Sequence, residues 1–248
     1  VKEENMASLP PKMRRALEDF VRRVAEKAGD NLRSVILYGS AARGEFVLGR
    51  SDVNILVLLE EADPDSLQAI APVLKAGMRR DLWPVVLSRD DLYRSLDVFP
   101  IDWFEMKGTR VVLYGDDPLS SIELEREDMR KQLEFEARAK LIRLRQAYIR
   151  DLGNEKALVS LAFRSLPSFL SLFKAALFLK GCEIPKTSES VIEAAIEAFS
   201  LDREGLEWGL KARSGIAKKA KEMFPSYLRS IEQFVYFIDM WKAEKGGR

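Results

Sequence analysis

The sequence contains no histidine. That absence excludes serine–histidine and cysteine–histidine nucleophile pairs, histidine zinc sites and histidine-based ribonuclease chemistry. A single cysteine, Cys182, rules out an internal disulfide framework and fits a reducing, cytoplasmic setting. Any metal must then sit on oxygen ligands, which points to magnesium or manganese. Charge of one sign is also lacking: 40 basic and 39 acidic side chains leave a net +1. Broad electrostatic binding of nucleic acid is therefore not indicated. No apolar run reaches the roughly 18 residues of a membrane span. The opening residues Val1-Lys2-Glu3-Glu4-Asn5 are polar, so neither a membrane helix nor a signal peptide is expected.

What is present describes a globular chain of 248 residues, 47% apolar and 32% charged, long enough for one large domain or two ordinary ones. The first half alternates short β-rich runs with helical patterns. Pro10 to Ala28 reads as an amphipathic helix with Met13, Leu17, Phe20, Val21, Val24 and Ala25 on one stripe. Strands are expected at about 33–38, 53–59 and 83–87. A helix from Asp63 toward Arg80 should be kinked or divided by Pro72. Ser88 should cap a short helix with Asp91 in its first turn. Val98 to Met106 and Arg110 to Tyr114, separated by Lys107-Gly108-Thr109, read as a β-hairpin.

After Gly115-Asp116-Asp117-Pro118 the texture changes to long helical patterns. Helices are expected at about 123–151 and 155–179, the second bent at Pro167. Another follows Thr187-Ser188, a short one spans about 202–211, and the last runs from about Ile216 to Trp241 with Pro225 as a kink or break. The expected architecture is α+β, with a mixed sheet and flanking helices in residues 1–118 and an all-α bundle in residues 119–248.

The chemistry concentrates between Ser34 and Leu59. The apolar run Val35-Ile36-Leu37-Tyr38 ends at Gly39-Ser40, Arg43-Gly44 follows, and Ser51-Asp52 introduces a second run, Val53 to Leu59. Backbone N–H groups near Gly39 and Ser40 can approach phosphate oxygens because glycine has no side chain. Ser40 adds a hydroxyl and Arg43 a cationic partner. Residues 52 and 54 share one face of a strand, so oxygen donors at both could grip one cation from the same side. Two cations about 3.5–4 Å apart could activate an acceptor hydroxyl and stabilise leaving pyrophosphate.

In these residues the sequence resembles the DNA polymerase β-type nucleotidyltransferase superfamily, closest in look to its minimal and kanamycin nucleotidyltransferase branches. The resemblance covers about the first 118 residues, and the helical half fits the family's habit of appending a bundle. It implies that Gly39, Ser40 and Arg43 contact a nucleotide, that Asp52 and residue 54 hold magnesium or manganese, and that an NTP, foremost ATP, is the substrate. It also implies a third carboxylate on a later strand, serving as base and metal ligand. Position 54 is asparagine, not the family's aspartate, and the third strand, Trp83 to Leu87, holds no acid. Asp81 lies just before that strand. Asp102 is the best substitute, read as a strand residue between Ile101 and Trp103, with Glu105 on the opposite face.

Three readings follow. The protein could transfer a nucleoside monophosphate to a hydroxyl acceptor, with Asp52 and Asn54 on the metal and Asp102 as base. It could be a degenerate relative that binds nucleotide as a regulator. It could also be an inactive module working through a partner protein, a toxin-like partner included. The acceptor stays open, and so does homo-oligomerisation.

Overall fold

The computed structural model describes residues 9–46 and 52–241. Two compact units emerge, Val1–Leu124 and Glu125–Arg248.

The first unit begins with helix α1, Pro11–Ala28, which Pro11 opens with its φ already helical. Met13, Leu17, Phe20 and Val24 recur at helical spacing and are all buried. Strand β1 spans Leu32–Tyr38, the short helix α2 Ser40–Arg43 and β2 Val53–Leu59. Helix α3 is Pro64–Met78, followed by β3, Leu82–Ser88. Then come α4, Arg89–Arg94, α5, Pro100–Thr109, and β4, Val111–Gly115.

The four strands form one mixed sheet in the order β3-β2-β1-β4. Strands β1–β2 and β1–β4 are antiparallel, while β2–β3 is parallel. Alternation divides β1 and β2 between two cores. Val35, Leu37, Val53, Ile55 and Val57 pack with the α1 stripe and with Ile70 and Val73 of α3. Ile36, Leu56 and Leu58 meet Leu92 of α4, Trp103 of α5 and the segment holding Leu119 and Ile122. A sheet covered on both faces explains why β2 reads as a nearly unbroken apolar run.

One sequence expectation fails here. Residues 100–109 form helix α5 rather than the first arm of a hairpin, and only β4 is a strand. The misleading signal was local: Ile101 and Trp103 are buried while Asp102 between them is exposed, which imitates a strand's period of two. Pro100 at the first helical position favours the helix, and Trp103 Nε1 fixes it by donating to the Ser95 carbonyl at 3.2 Å. Of the kink or division expected at Pro72, division does not occur, since α3 is continuous from Pro64 to Met78. Both Pro72 and Gln68, whose carbonyl loses its helical partner, are exposed, so water can satisfy that carbonyl. The Ser88 cap is present as a full capping box: Asp91 N–H donates to Ser88 Oγ at 3.0 Å, and Ser88 N–H to Asp91 Oδ2 at 2.9 Å.

The second unit is helical: α6, Arg126–Asp151, α7, Glu155–Leu179, α8, Ser188–Phe199, α9, Arg203–Arg213, and α10, Ala220–Met240. The last helix starts four residues later than its sequence suggested, because Lys219 adopts a left-handed conformation (φ 55°) just before it. Glu155 accepts from the N–H groups of Ala220 and Lys221 at 2.6 and 3.1 Å, satisfying two donors at that start. Pro225 therefore falls inside α10, and Pro167 inside an unbroken α7. Helix α7 is long and apolar enough to cross a membrane by length and composition, with mean hydropathy 1.3, but 56% of its most apolar window is buried within the protein. Phe173 of α7 meets Phe234 of α10 edge to face, ring centroids 4.7 Å apart.

Candidate active site

Strand β1 ends at Tyr38, and the chain turns at Gly39 with φ 75°, a conformation that favours glycine. Four residues of helix follow, Ser40 to Arg43, closed by Gly44 at φ 80°; the N–H of Glu45 returns to the Ser40 carbonyl at 2.9 Å. Ala41 and Ala42 are buried in the core beneath. Their anchoring holds the turn against the sheet, while Gly39, Ser40 and Arg43 stay partly accessible.

Asn54 lies directly abreast of Tyr38 across the antiparallel pair. Its amide sits against the turn: a methyl group at Gly39 would come within 3.0 Å of Asn54 Nδ2. On its other side Asn54 is abreast of Trp83 of β3. Residues directly opposite on neighbouring strands share a face, so Tyr38, Asn54 and Trp83 form one row across three strands. Trp83 is 47% exposed. Asp52 is exposed just ahead of β2, where the Val53 N–H donates to the Asp81 carbonyl at 3.1 Å. Asp81 itself has φ 61°.

Helix α5 brings the remaining acids. Asp102 stands in its first turn and Glu105 three residues on, so the two share a face instead of opposing each other as a strand would place them. Burial pushes the Tyr38 hydroxyl above its ordinary pKa, and the charge of Asp102 pushes it further. Asp102 therefore acts electrically on the row that contains Asn54. Arg43 forms ion pairs with Glu45 at 3.2 Å and with Glu105 at 3.6 Å, its side chain 21% exposed. Arg43 is thus held between two carboxylates, and Glu105 is committed to a cation.

The matching family model, described as "Nucleotidyltransferase domain", covers residues 17–135. Over those residues the chain carries a nucleotidyltransferase domain of the DNA polymerase β type. A crystal structure of a spectinomycin adenyltransferase from Enterococcus faecialis, solved with ATP and spectinomycin, is similar in fold over both units. It aligns with TM-score 0.55 and 17% identity over 92% of this chain and 98% of that one. A Sulfolobus solfataricus structure described as a nucleotidyltransferase aligns at 20% identity over 43% of this chain and 84% of that one, with TM-score 0.31, too low to carry an argument. Curated proteins return no match.

Nucleotidyltransferases of this kind use an NTP with a divalent metal. The donor set here is a poor fit to a cation pair. The row offers a phenol, an amide and an indole where a superfamily site would gather carboxylates. Among the described residues, no three Asp, Glu or Cys side chains gather closely enough to hold a metal ion. Asp52, with the neutral oxygen of Asn54, is the donor pair that remains at the mouth of β2. Sequence reasoning missed Tyr38 and Trp83 as neighbours of the site. Strand pairing was the missing information, since register alone puts Trp83 beside Asn54.

Proposed function

We propose that the N-terminal unit binds a nucleoside triphosphate on the Gly39–Arg43 turn without the carboxylate set of a two-metal transferase, and so works as an atypical nucleotide-binding member of its superfamily. The observation that carries this reading is the Tyr38–Asn54–Trp83 row. Gly39, Ser40 and Arg43 are the groups for the phosphates, with Arg43 exchanging Glu45 or Glu105 for a phosphate oxygen. The exposed face of Trp83 suits a base or sugar, because an indole stacks on planar rings. ATP is the first nucleotide to try, given the ATP in the similar adenyltransferase structure. Residues 1–118 act as the nucleotide domain and residues 119–248 as the appended bundle.

Calorimetric titration with ATP, GTP, CTP and UTP, each in magnesium, manganese and EDTA, tests the reading. Saturable binding that EDTA weakens little is expected. Heat that vanishes entirely in EDTA would restore a metal-built site, and no heat with any nucleotide would leave the fold working through a partner protein.

A second reading rests on Asp102. Its charge reaches Tyr38, the cross-strand neighbour of Asn54. In that reading Asp102 accepts the proton of an acceptor hydroxyl as the oxygen bonds to the α-phosphorus and pyrophosphate leaves. Release of pyrophosphate from ATP that stops in Asp102→Asn, with nucleotide binding intact, would favour it.

A further inference from the structure

Helices α6 and α7 should meet through apolar side chains, yet part of their seam opens into a cavity of about 400 Å³ with a basic rim. Lys140, Arg143 and Arg150 follow one another along α6 at helical spacing, and Arg164 faces them from α7. The floor is apolar, formed by Leu144, Leu161 and Phe169, all buried. Ser165 and Ser168 keep the space open by being small, and the Ser165 hydroxyl is occupied by a 2.9 Å hydrogen bond with Tyr227.

The charges do not cancel. Lys140 pairs with Glu136 at 2.5 Å, and Arg150 grips Asp151 with two bonds of 2.8 and 2.9 Å. Asp151 is held below the usual carboxylate range mainly by Arg150, with Arg164 contributing through its charge. Arg143 makes no ion pair among the described residues, and Arg164 reaches only the Ser160 hydroxyl. Four cations against two carboxylates leave an excess of two positive charges around an apolar floor. Guanidinium groups set in this way favour a planar or tetrahedral oxyanion with bidentate contacts.

We propose that this cavity binds a small molecule in which a phosphomonoester is joined to an apolar or aromatic body. The dianion answers the excess charge of the rim, and the ring or chain covers Phe169 and its aliphatic neighbours. The proposal does not rest on nucleotide binding by the N-terminal unit.

The full chain is titrated by calorimetry with phenyl phosphate, inorganic phosphate and phenol. Phenyl phosphate should bind most tightly, inorganic phosphate at least about tenfold more weakly, and phenol without saturation. Arg143→Gln/Arg164→Gln should lose about tenfold per arginine, and Arg143→Glu/Arg164→Glu more, with circular dichroism unchanged because both side chains are exposed. No saturable binding of phenyl phosphate at millimolar concentration overturns the proposal. Indifference to both arginine variants does so as well.

Discussion

In the helical unit, buried polar groups are closed off by one another. Ser230 Oγ donates within 2.9 Å of both the Asp202 and Ser226 carbonyls, and Tyr227 meets Ser165 where α10 passes α7. In the sheet unit, Arg43, Asp52, Asn54 and Asp102 stand at strand and helix ends, partly or fully exposed, and Asn54 lies against a turn that glycine keeps narrow. The first set fixes how helices cross, because an unmet hydroxyl in a low-dielectric core is costly. The second set lies at or near the surface, with Arg43 paired to Glu45 and Glu105 rather than sealed in a core. The two sets thus differ in setting: one is buried between helices and closed on itself, the other stands at the ends of elements and reaches the surface.

The largest effect that would sharpen this contrast comes from Gly205→Ala. A Cβ there would lie 2.3 Å from the Ser226 carbonyl oxygen and 2.5 Å from Ser230 Oγ, so α9 and α10 must separate. A loss of roughly 3 kcal/mol is expected, visible as a lowered denaturation midpoint. Asn54→Asp should instead act on binding, raising magnesium-dependent ATP affinity by at least about tenfold as a neutral donor becomes charged. Unchanged calorimetry would show that residue 54 does not line the site.

Tyr227→Phe should cost about 1 kcal/mol of stability by removing the partner of Ser165, with nucleotide binding untouched. Arg43→Gln should do the reverse. Loss of two partly exposed ion pairs costs well under 1 kcal/mol, while ATP affinity falls by about tenfold. A variant that lost stability without affinity would break the division between the two units.

The smallest effect is on acid stability. Asp63 caps α3, and hydrogen bonds from the Ser66 backbone and hydroxyl hold its pKa below the usual carboxylate value. The unfolded chain then binds this proton first as pH falls. The stabilisation is present above about pH 4 and is lost as pH drops through the folded value. Asp63→Asn should flatten that part of a stability-versus-pH curve.

Much of this was legible in the sequence because local chemistry decided it. Pro11 and the spacing of Met13, Leu17, Phe20 and Val24 marked α1, and Ser88 with Asp91 marked the capping box. Gly39, Ser40, Arg43 and Asp52 could be ordered along the chain and related to a known family before any fold was seen. What could not be read depended on partners distant in sequence. The choice of helix for 100–109 lies in Trp103 reaching Ser95 and in the core around Leu119 and Ile122. The row beside Asn54 depends on strand order, since Tyr38 and Trp83 are separated from it by 16 and 29 positions yet adjacent in the sheet. The engagement of Arg43 with Glu105 depends in turn on α5 being a helix.

Strand β3 forms one border of the sheet, and its second and fourth residues, Trp83 and Val85, are exposed. An apolar border strand of this kind is a template on which another chain can extend the sheet. Pro84 lies between them and has no N–H to offer. The same short segment that sets an indole beside Asn54 therefore carries its own protection against edge-to-edge aggregation. Replacing Pro84 with valine would complete that run of donors, and self-association would become the hazard to watch for in concentrated solution.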